Sequence, residues 1–500
     1  MKVMFVYPGF ENIGIEYLSA MLLDCGVETR LAFDPQLFRD PFFKCGFLSG
    51  LFNSERILLK QIEDFQPQLI AFSVVSANYL WALDLAKKIK ASLPVHITMG
   101  GIHPSSVPDK VILQECVDSV IVGEGEYAFL ELVQSLASGK IDYSIPNVWL
   151  KKEKQIISNP VRPLIADLDS LPFPDKELYY REIPGYHHGY TLITRRGCLN
   201  RCSYCHHSVL DRVYSKEPKR IRLRSVDNVM EELRAAKQKY RFKLLRINDD
   251  LFTYHTPWLR EFVACYRKEI NVPFYCFGSP STIDEETISL LKQGGCYQLC
   301  MGVQSVNPDV RQRIFQRMTT NEQIIKAIEV CRSYRLRIVV DNIIGYPGET
   351  TGDLIEMAEF YGQHRPDRIC IFWLKYYPGT SIVDIAEKQD VLNAQKIREL
   401  EECPCENANT LVDPGLAKEK KRFHLLFVLY HFLSLRIFRW CVRHRLYRFL
   451  PMINPACIEY PYMMFSRERL DIPRRRYYRK YFYYLPKTFY ANIKKRFTIR

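Results

Sequence analysis

No apolar run in this sequence has the length and freedom from charge that a membrane-spanning helix needs, about 20 residues. The strongest stretch, residues 423–441, is interrupted by His424, His431, Arg436 and Arg439, so a spanning segment is not expected. A charged n-region with a cleavage site is also missing, because Met1-Lys2-Val3-Met4-Phe5-Val6 already reads as a buried strand. The sixteen cysteines lack a framework of pairs, and together with the missing leader this points to reduced thiols in the cytoplasm rather than disulfides. Cys296 with Cys300, and Cys403 with Cys405, have no matching partner pair, so a second cluster is not expected from them. Excess positive charge is absent from the first 417 residues, which hold 49 Lys plus Arg against 52 Asp plus Glu. The formal +14 therefore resides in residues 418–500, with 21 basic against 4 acidic side chains.

What is present is an ordinary globular composition, 47% hydrophobic and 25% charged, over a length of 500 residues that accommodates two or three domains. Over residues 1–140, strand patterns at 3–7, 27–33, 69–75, 95–99 and 119–122 alternate with helical periodicity, which predicts a doubly wound parallel sheet. Ligands of such sheets bind at the carboxyl ends of the strands. Those ends carry Tyr7-Pro8-Gly9, Ser73, Gly100-Gly101-Ile102-His103-Pro104 and Gly123-Glu124-Gly125-Glu126. Residues 141–187 hold six prolines and little periodicity and read as a linker. Over residues 188–400, strands at 190–194, 243–247, 274–278, 298–303, 337–343 and 368–375 alternate with amphipathic helices, predicting an open (β/α)6 barrel with its chemistry on the loops after the strands. Residues 401–500 form a basic, aromatic, mostly helical C-terminal region.

The loop after the first barrel strand contains Cys198, Cys202 and Cys205 in C-x3-C-x2-C spacing, with Tyr204 before the third cysteine. Three thiolates on one short loop can hold three irons of a cubane cluster and leave the fourth open. A zinc knuckle is the competing reading. It wants four ligands, and His206 or His207 could supply one, but both lie too close in sequence for finger spacing.

The triplet resembles the signature of radical S-adenosylmethionine enzymes. Further segments at the predicted strand ends carry the likeness across residues 190–380: Asn248-Asp249-Asp250-Leu251-Phe252, Gly302-Val303-Gln304-Ser305, Arg317-Met318-Thr319, Gly345-Tyr346-Pro347-Gly348-Glu349-Thr350 and Tyr377-Pro378-Gly379-Thr380. The resemblance implies a 4Fe-4S cluster on the three cysteines. It also implies S-adenosylmethionine contacts from Tyr204, Asp249, Asp250, Gln304, Ser305, Arg317 and Gly345. The family more often has Glu where Gln304 stands. Taken singly, Asp249 and Asp250 could cap the next helix, Gln304 could satisfy backbone, and Arg317 could be a solvated cation.

The Gly-Gly-x-His-Pro and Gly-Glu-Gly-Glu loops, on this framework, resemble the cobalamin-binding domain that precedes the radical domain in a large subfamily. That resemblance implies cobalamin contacts from Ser73, Gly100, Gly101, His103, Gly123, Glu124 and Gly125, with His103 alternatively a loop-stabilising hydrogen-bonder. The Asp-x-His-x-x-Gly of mutase-type domains is missing after the first strand, where Pro8-Gly9-Phe10-Glu11-Asn12-Ile13-Gly14 stands. The implied activity is methylation, rearrangement or cyclisation at an unactivated carbon of a small-molecule or lipid substrate, fed by a donor such as flavodoxin or ferredoxin. A cobalamin-free radical enzyme and an RNA-modifying enzyme using the tail are the alternatives. The methylthio-transferring RNA enzymes carry an additional N-terminal cysteine trio that is not found here, so nucleic acid is not the expected partner. For the tail, residues 443–449 and 474–480 with Tyr477, Tyr478 and the tyrosines of 481–484 suit an anionic lipid surface, giving an expectation of peripheral membrane contact. A helical cap packed on the barrel is the simpler reading.

Overall fold

The computed structural model describes residues 1–39, 44–153, 155–183, 185–215, 221–402, 414–455, 457–458 and 472–498, with the backbone alone at 414–415, 472–478 and 493–498. Two parallel sheets organise the chain. The first contains β1 (Lys2–Pro8), β2 (Glu28–Asp34), β3 (Leu69–Ser73), β4 (His96–Gly100), β5 (Ser119–Ile121), β6 (Val148–Lys152) and β7 (Gln155–Ser158), in the order β2-β1-β3-β4-β5-β6-β7. The first five are parallel, with the switch point between β1 and β3, where the chain order reverses. Their residues are buried on both faces, as the near-continuous apolar runs Val3–Val6 and Leu69–Phe72 require.

Strands β6 and β7 correct the expected linker. β6 pairs antiparallel with β5, and β7 with β6, so residues 148–158 extend the first sheet rather than crossing between domains. Their alternation is weak, with Gln155–Ser158 largely exposed, which is why a proline-rich reading hid them. The rest of the stretch is fastened down as well. Lys176 is fully buried and sits between Glu16 (2.5 Å) and Glu11 (3.4 Å) of the first domain, and Glu11 accepts a hydrogen bond from Thr191 of the barrel.

The second sheet contains β8 (Gly189–Leu192), β11 (Leu244–Ile247), β12 (Phe274–Gly278), β13 (Cys296–Gln304), β14 (Arg337–Ile344) and β15 (Arg368–Trp373), all parallel, in the order β15-β14-β13-β12-β11-β8. This is the expected six-strand open barrel. A short ribbon, β9 (Arg195–Arg196) with β10 (Arg222–Leu223), stands beside its first strand. The largest core cluster lies between the barrel strands and their helices, and it includes Phe423, Leu426, Phe427, Phe438 and Tyr447 of the C-terminal region. Residues 423–441 are thus split between the helices Pro414–Leu429 and Leu435–Arg443, which cap the barrel. Among the described residues no helix is long and apolar enough to cross a membrane.

The last helix, Ile472–Thr498, returns to the N-terminal domain. Tyr484 packs on Phe33 of the edge strand β2 and donates to the Glu182 carbonyl, while the Tyr481 hydroxyl accepts from the Phe38 N–H. Lys480 is buried and donates to the Gly9 carbonyl at the end of β1. These side chains were expected at a lipid surface, and the structure places them inside protein contacts instead. The side chains of Arg474, Arg475 and Arg476 lie outside the described residues.

Candidate functional site

Glycine opens the cysteine loop. Gly197, at φ +99°, turns the chain out of β9, and the loop ends at Cys205, whose extended backbone caps the helix His206–Val213. The loop is tied to the barrel mouth through Ser203. Ser203 donates through its N–H to the Phe315 carbonyl (3.0 Å) and through its hydroxyl to that of Ile314 (2.5 Å), and its own carbonyl accepts from the Ile382 N–H (2.9 Å). Cys202 is buried, while Cys198 and Cys205 are half-buried. Burial pushes the thiols of Cys198 and Cys205 up. Asn200 Nδ2 faces Cys198 Sγ at 3.6 Å.

The expected companions converge on this loop from three strand ends. Arg317 is buried, not a solvated cation. Its Nη1 donates to Cys202 Sγ (3.5 Å) and its Nη2 to Ser279 Oγ (3.2 Å), while its Nε stays buried without a partner. Burial alone would lower its pKa, yet the neighbouring Tyr204 and cysteine thiols hold it raised. The Tyr204 ring stands edge-on to Phe315 at 5.2 Å. Gln304 sits at a register break in β13 with φ +73°, a conformation that a residue with a side chain adopts only under constraint. Its amide folds over Gly302, where a Cβ would lie 2.6 Å from Nε2 and 3.6 Å from Arg317 Nη2.

Asp249 and Asp250 diverge. Asp249 is fully buried behind the site and accepts from the Thr194 N–H (2.7 Å), Thr194 Oγ1 (2.5 Å) and Arg195 Nε (3.3 Å). Burial raises its pKa, and Arg195 opposes the rise. Arg195 lies over Phe252 and Trp258 and donates to the Leu251 and Tyr254 carbonyls. A ligand contact expected of Asp249 is therefore replaced by a strut between the ends of β8 and β11. Asp250 faces outward to His207 Nε2 at 2.9 Å. Neither caps the next helix, because His255 accepts from the Trp258 N–H there. Ser305 turns inward too, accepting from the Asn307 N–H and, through its carbonyl, from buried Arg311. The Gly345 N–H donates to Glu349 Oε2 (2.7 Å), which Lys420 of the helix Pro414–Leu429 grips from the other side at 2.6 Å.

On the N-terminal domain the expected cobalamin residues line one edge, with several of them engaged by protein. Ser73 Oγ accepts from Asn12 Nδ2 (3.2 Å). Gly100 packs against Ile121, and a Cβ on Gly101 would sit 2.7 Å from the Val74 carbonyl oxygen, so that glycine permits a close backbone approach. His103 is buried against the Tyr79 ring, its Nδ1 is 3.0 Å from Ser76 Oγ, and burial pushes its pKa down to about 4. Its Nε2 is buried without a hydrogen-bond partner. Gly125 packs on Leu18 and Ile121.

The Glu124 carboxylate departs from the expected cobalamin contact. It reaches Arg196 (3.2 Å), Arg222 (2.8 Å) and the Ile165 N–H (2.8 Å), while Glu126 takes the other nitrogen of Arg196 at 2.5 Å. Arg196 precedes Gly197 directly, so the Gly-Glu-Gly-Glu loop clamps the start of the cysteine loop. Sequence reasoning missed Arg196, Arg222 and Tyr214. A basic residue beside Gly197-Cys198 was the available signal for Arg196, whereas Tyr214 carried none.

Where the domains meet lies a cavity of about 250 Å³, lined by Glu124 of the N-terminal domain and by Gly197, Cys198, His206, His207, Tyr214, Arg222, Asn248 and Asp250 of the barrel half. Among the described residues, His206, His207 and Asp250 bring three candidate ligand atoms within 4.8 Å of one another, and the three cysteines do not. A single tetrahedral zinc would hold its sulfurs about 3.8 Å apart. The wider spread of the thiols suits a cluster, and the buried guanidinium beside Cys202 suits its negative charge.

Comparison with known proteins agrees with this geometry. The model of the radical SAM superfamily matches residues 192–361, and that of the B12 binding domain matches residues 6–133. An uncharacterised methyltransferase of Pyrococcus horikoshii is 27% identical over 341 residues, covering 67% of this chain and 72% of its own. The cytidylyl-2-hydroxyethylphosphonate methyltransferase of Streptomyces wedmorensis is 24% identical over 394 residues, 70% of this chain and 72% of its own. Two solved structures share the fold. The radical S-adenosylmethionine methyltransferase TsrM from Kitasatospora setae, with cobalamin and a [4Fe-4S] cluster, has a TM-score of 0.61 at 18% identity over 77% of this chain and 75% of its own. The cobalamin-dependent radical enzyme OxsB, with aqua-cobalamin and S-adenosylmethionine, has a TM-score of 0.64 at 14% identity over 96% and 75%. With both domain models matched in this order, and with the cysteine loop facing the B12 domain across one cavity, the chain belongs to the radical SAM enzymes that carry an N-terminal B12 binding domain.

Proposed function

We propose that the chain methylates a carbon of a small-molecule or lipid substrate, with Cys198, Cys202 and Cys205 holding a 4Fe-4S cluster and S-adenosylmethionine at its open iron. The shared cavity carries this reading, because Cys198 and the Glu124 loop of the B12 domain border the same space. When bound, a reduced cluster would supply the electron that breaks the sulfonium bond, and cobalamin would carry the methyl group. Asp250, which lines the cavity with Cys198, and Gln304 would meet the methionine end, Arg317 would neutralise charge beside Cys202, and Tyr204, Asp249, Ser305 and Gly345 would hold those groups in place. Ser73, Gly100, Gly101, His103, Gly123 and Gly125 form the edge toward cobalamin, and Glu124 fixes that edge to the cysteine loop. A one-electron donor such as a flavodoxin or ferredoxin completes the system.

The test uses anaerobically purified protein supplied with iron, sulfide, reductant and S-adenosylmethionine. Formation of 5′-deoxyadenosine by the wild type and its loss in Cys202→Ala, together with a corrinoid extracted from the wild type, is the expected result. Undiminished 5′-deoxyadenosine from Cys202→Ala overturns the cluster assignment. Wild-type protein that takes up no corrinoid overturns the cobalamin dependence.

A further inference from the structure

The helix Leu435–Arg443 has two unlike faces. Phe438 and Val442 are buried against the barrel cap. On the opposite face Trp440 is 55% exposed, and its neighbours one turn away are Arg436, Ile437 and Arg443. The 3-10 turn Leu446–Phe449 packs against this helix and brings Phe449, 84% exposed, with Met452 following at 53%. Large apolar side chains this exposed and this close in sequence mark a contact surface, since soluble faces rarely gather them. Residues 432–454 contain five arginines and neither Asp nor Glu. Arg439 is tethered to the Gly362 carbonyl, which leaves Arg436, Arg443, Arg445 and Arg448 exposed around the apolar group.

We propose that this face docks on an anionic lipid bilayer. Trp440 and Phe449 would enter the interfacial layer while the flanking arginines meet headgroup phosphates, with long stems lying along the apolar surface. Charge selects this occupant over others. A second copy of the chain docked through the same face would bring four arginines against four with no acid between them. Nucleic acid would satisfy the arginines and stack on the rings, but it would leave Ile437 and Met452 without apolar cover. Only a surface that is anionic at its rim and apolar beneath satisfies both sets of side chains.

The full-length protein is sedimented with vesicles of phosphatidylcholine alone, or with about a third phosphatidylglycerol, and examined by light scattering without lipid. Wild type is expected to bind the anionic vesicles about tenfold more tightly than the neutral ones and to be released as salt rises from about 0.05 to 0.5 M. Trp440→Ser with Phe449→Ser, and separately Arg443→Gln with Arg445→Gln and Arg448→Gln, should each weaken binding about tenfold. Because all five side chains are exposed, thermal unfolding should stay near wild type, and the arginine set tests the idea even if the apolar set does not fold. Equal binding to neutral vesicles, no vesicle binding, unchanged binding by both variant sets, or a dimer that the Trp440 variant disperses would overturn the proposal. Tight RNA binding in place of vesicle binding would overturn it as well.

Discussion

The hydroxyl of Tyr214 stands where a side chain at position 123 would have to go: a Cβ on Gly123 would lie 2.2 Å from it. The same oxygen accepts the Glu124 N–H at 2.7 Å. One contact therefore locks the helix that follows the cysteine loop to the end of β5. Gly123 also sits at φ +81°, where a Cβ is strained in any surroundings. Gly123→Ala should cost about 3 kcal/mol, combining backbone strain with overpacking, and Tyr214→Phe about 1 kcal/mol for the lost acceptor. Urea unfolding measures both, and a Gly123→Ala protein within about 0.5 kcal/mol of wild type would contradict the contact.

The clamp of Glu124 on Arg196 and Arg222 makes a second prediction. Removing the carboxylate in Glu124→Ala leaves two largely buried guanidiniums short of a partner, and the expected loss is about 3 kcal/mol. Burial tends to raise the Glu124 pKa, but Arg222 and Arg196 prevail and hold it below the usual carboxylate range. A depressed folded pKa gives stability that is complete above the ordinary value near 4.5 and fades as pH falls through the folded value. Acid titration should therefore show a shallower loss in Glu124→Ala than in wild type, because the variant has already lost that increment.

Arg317 concerns the cluster. Its guanidinium lies 3.5 Å from Cys202 Sγ, so Arg317→Met removes a positive charge next to a group that gains an electron. The midpoint potential of the reconstituted cluster should fall, on the order of 50 mV, which corresponds to about 1 kcal/mol for one electron. Arg317→Lys should restore much of the shift. Redox titration followed by electron paramagnetic resonance reads this without reference to turnover, and equal potentials in wild type and Arg317→Met would show that the guanidinium does not act on the cluster.

His103 ties stability to pH in the N-terminal domain. Burial pushes its pKa down to about 4, against an ordinary value of about 6.5. Between those values the unfolded chain binds a proton that the folded chain refuses. Its contribution is complete above about pH 6.5 and is lost as pH falls toward 4, up to about 3 kcal/mol. His103→Gln should flatten the dependence of unfolding free energy on pH across that window. A wild-type profile already flat there would show that the imidazole is hydrated.

The parallel strands of both sheets were legible because buried parallel strands leave apolar runs, such as residues 3–6 and 338–340, that local pattern exposes. Strands β6 and β7 were not, since an exposed two-strand extension with polar ends carries little pattern. The cysteine loop was legible from spacing alone. The division of labour between Asp249 and Asp250 was not, because adjacent residues differ only in which way the chain turns after β11. Glu124 was expected at a ligand, and its partners lie 72 and 98 residues further on, a pairing that no local pattern encodes. The tyrosines of the last helix looked like interfacial anchors by composition, while the exposed Trp440 and Phe449 sit in segments whose buried neighbours masked them.

The return of the helix Ile472–Thr498 to strand β2 has a consequence for synthesis. The Phe38 N–H meets a tyrosine 443 residues later in the chain, and Asn492 reaches back to the carbonyls of Leu51 and Asn53. While the ribosome is still making the barrel, β2 has the helices Glu55–Phe65 and Glu177–Tyr180 against it, but the contacts of Tyr484 with Phe33 and of Tyr481 with Phe38 are still to be made. Loss of Tyr481, Tyr484 and Asn492 together should consequently show its damage in aggregation through the N-terminal domain.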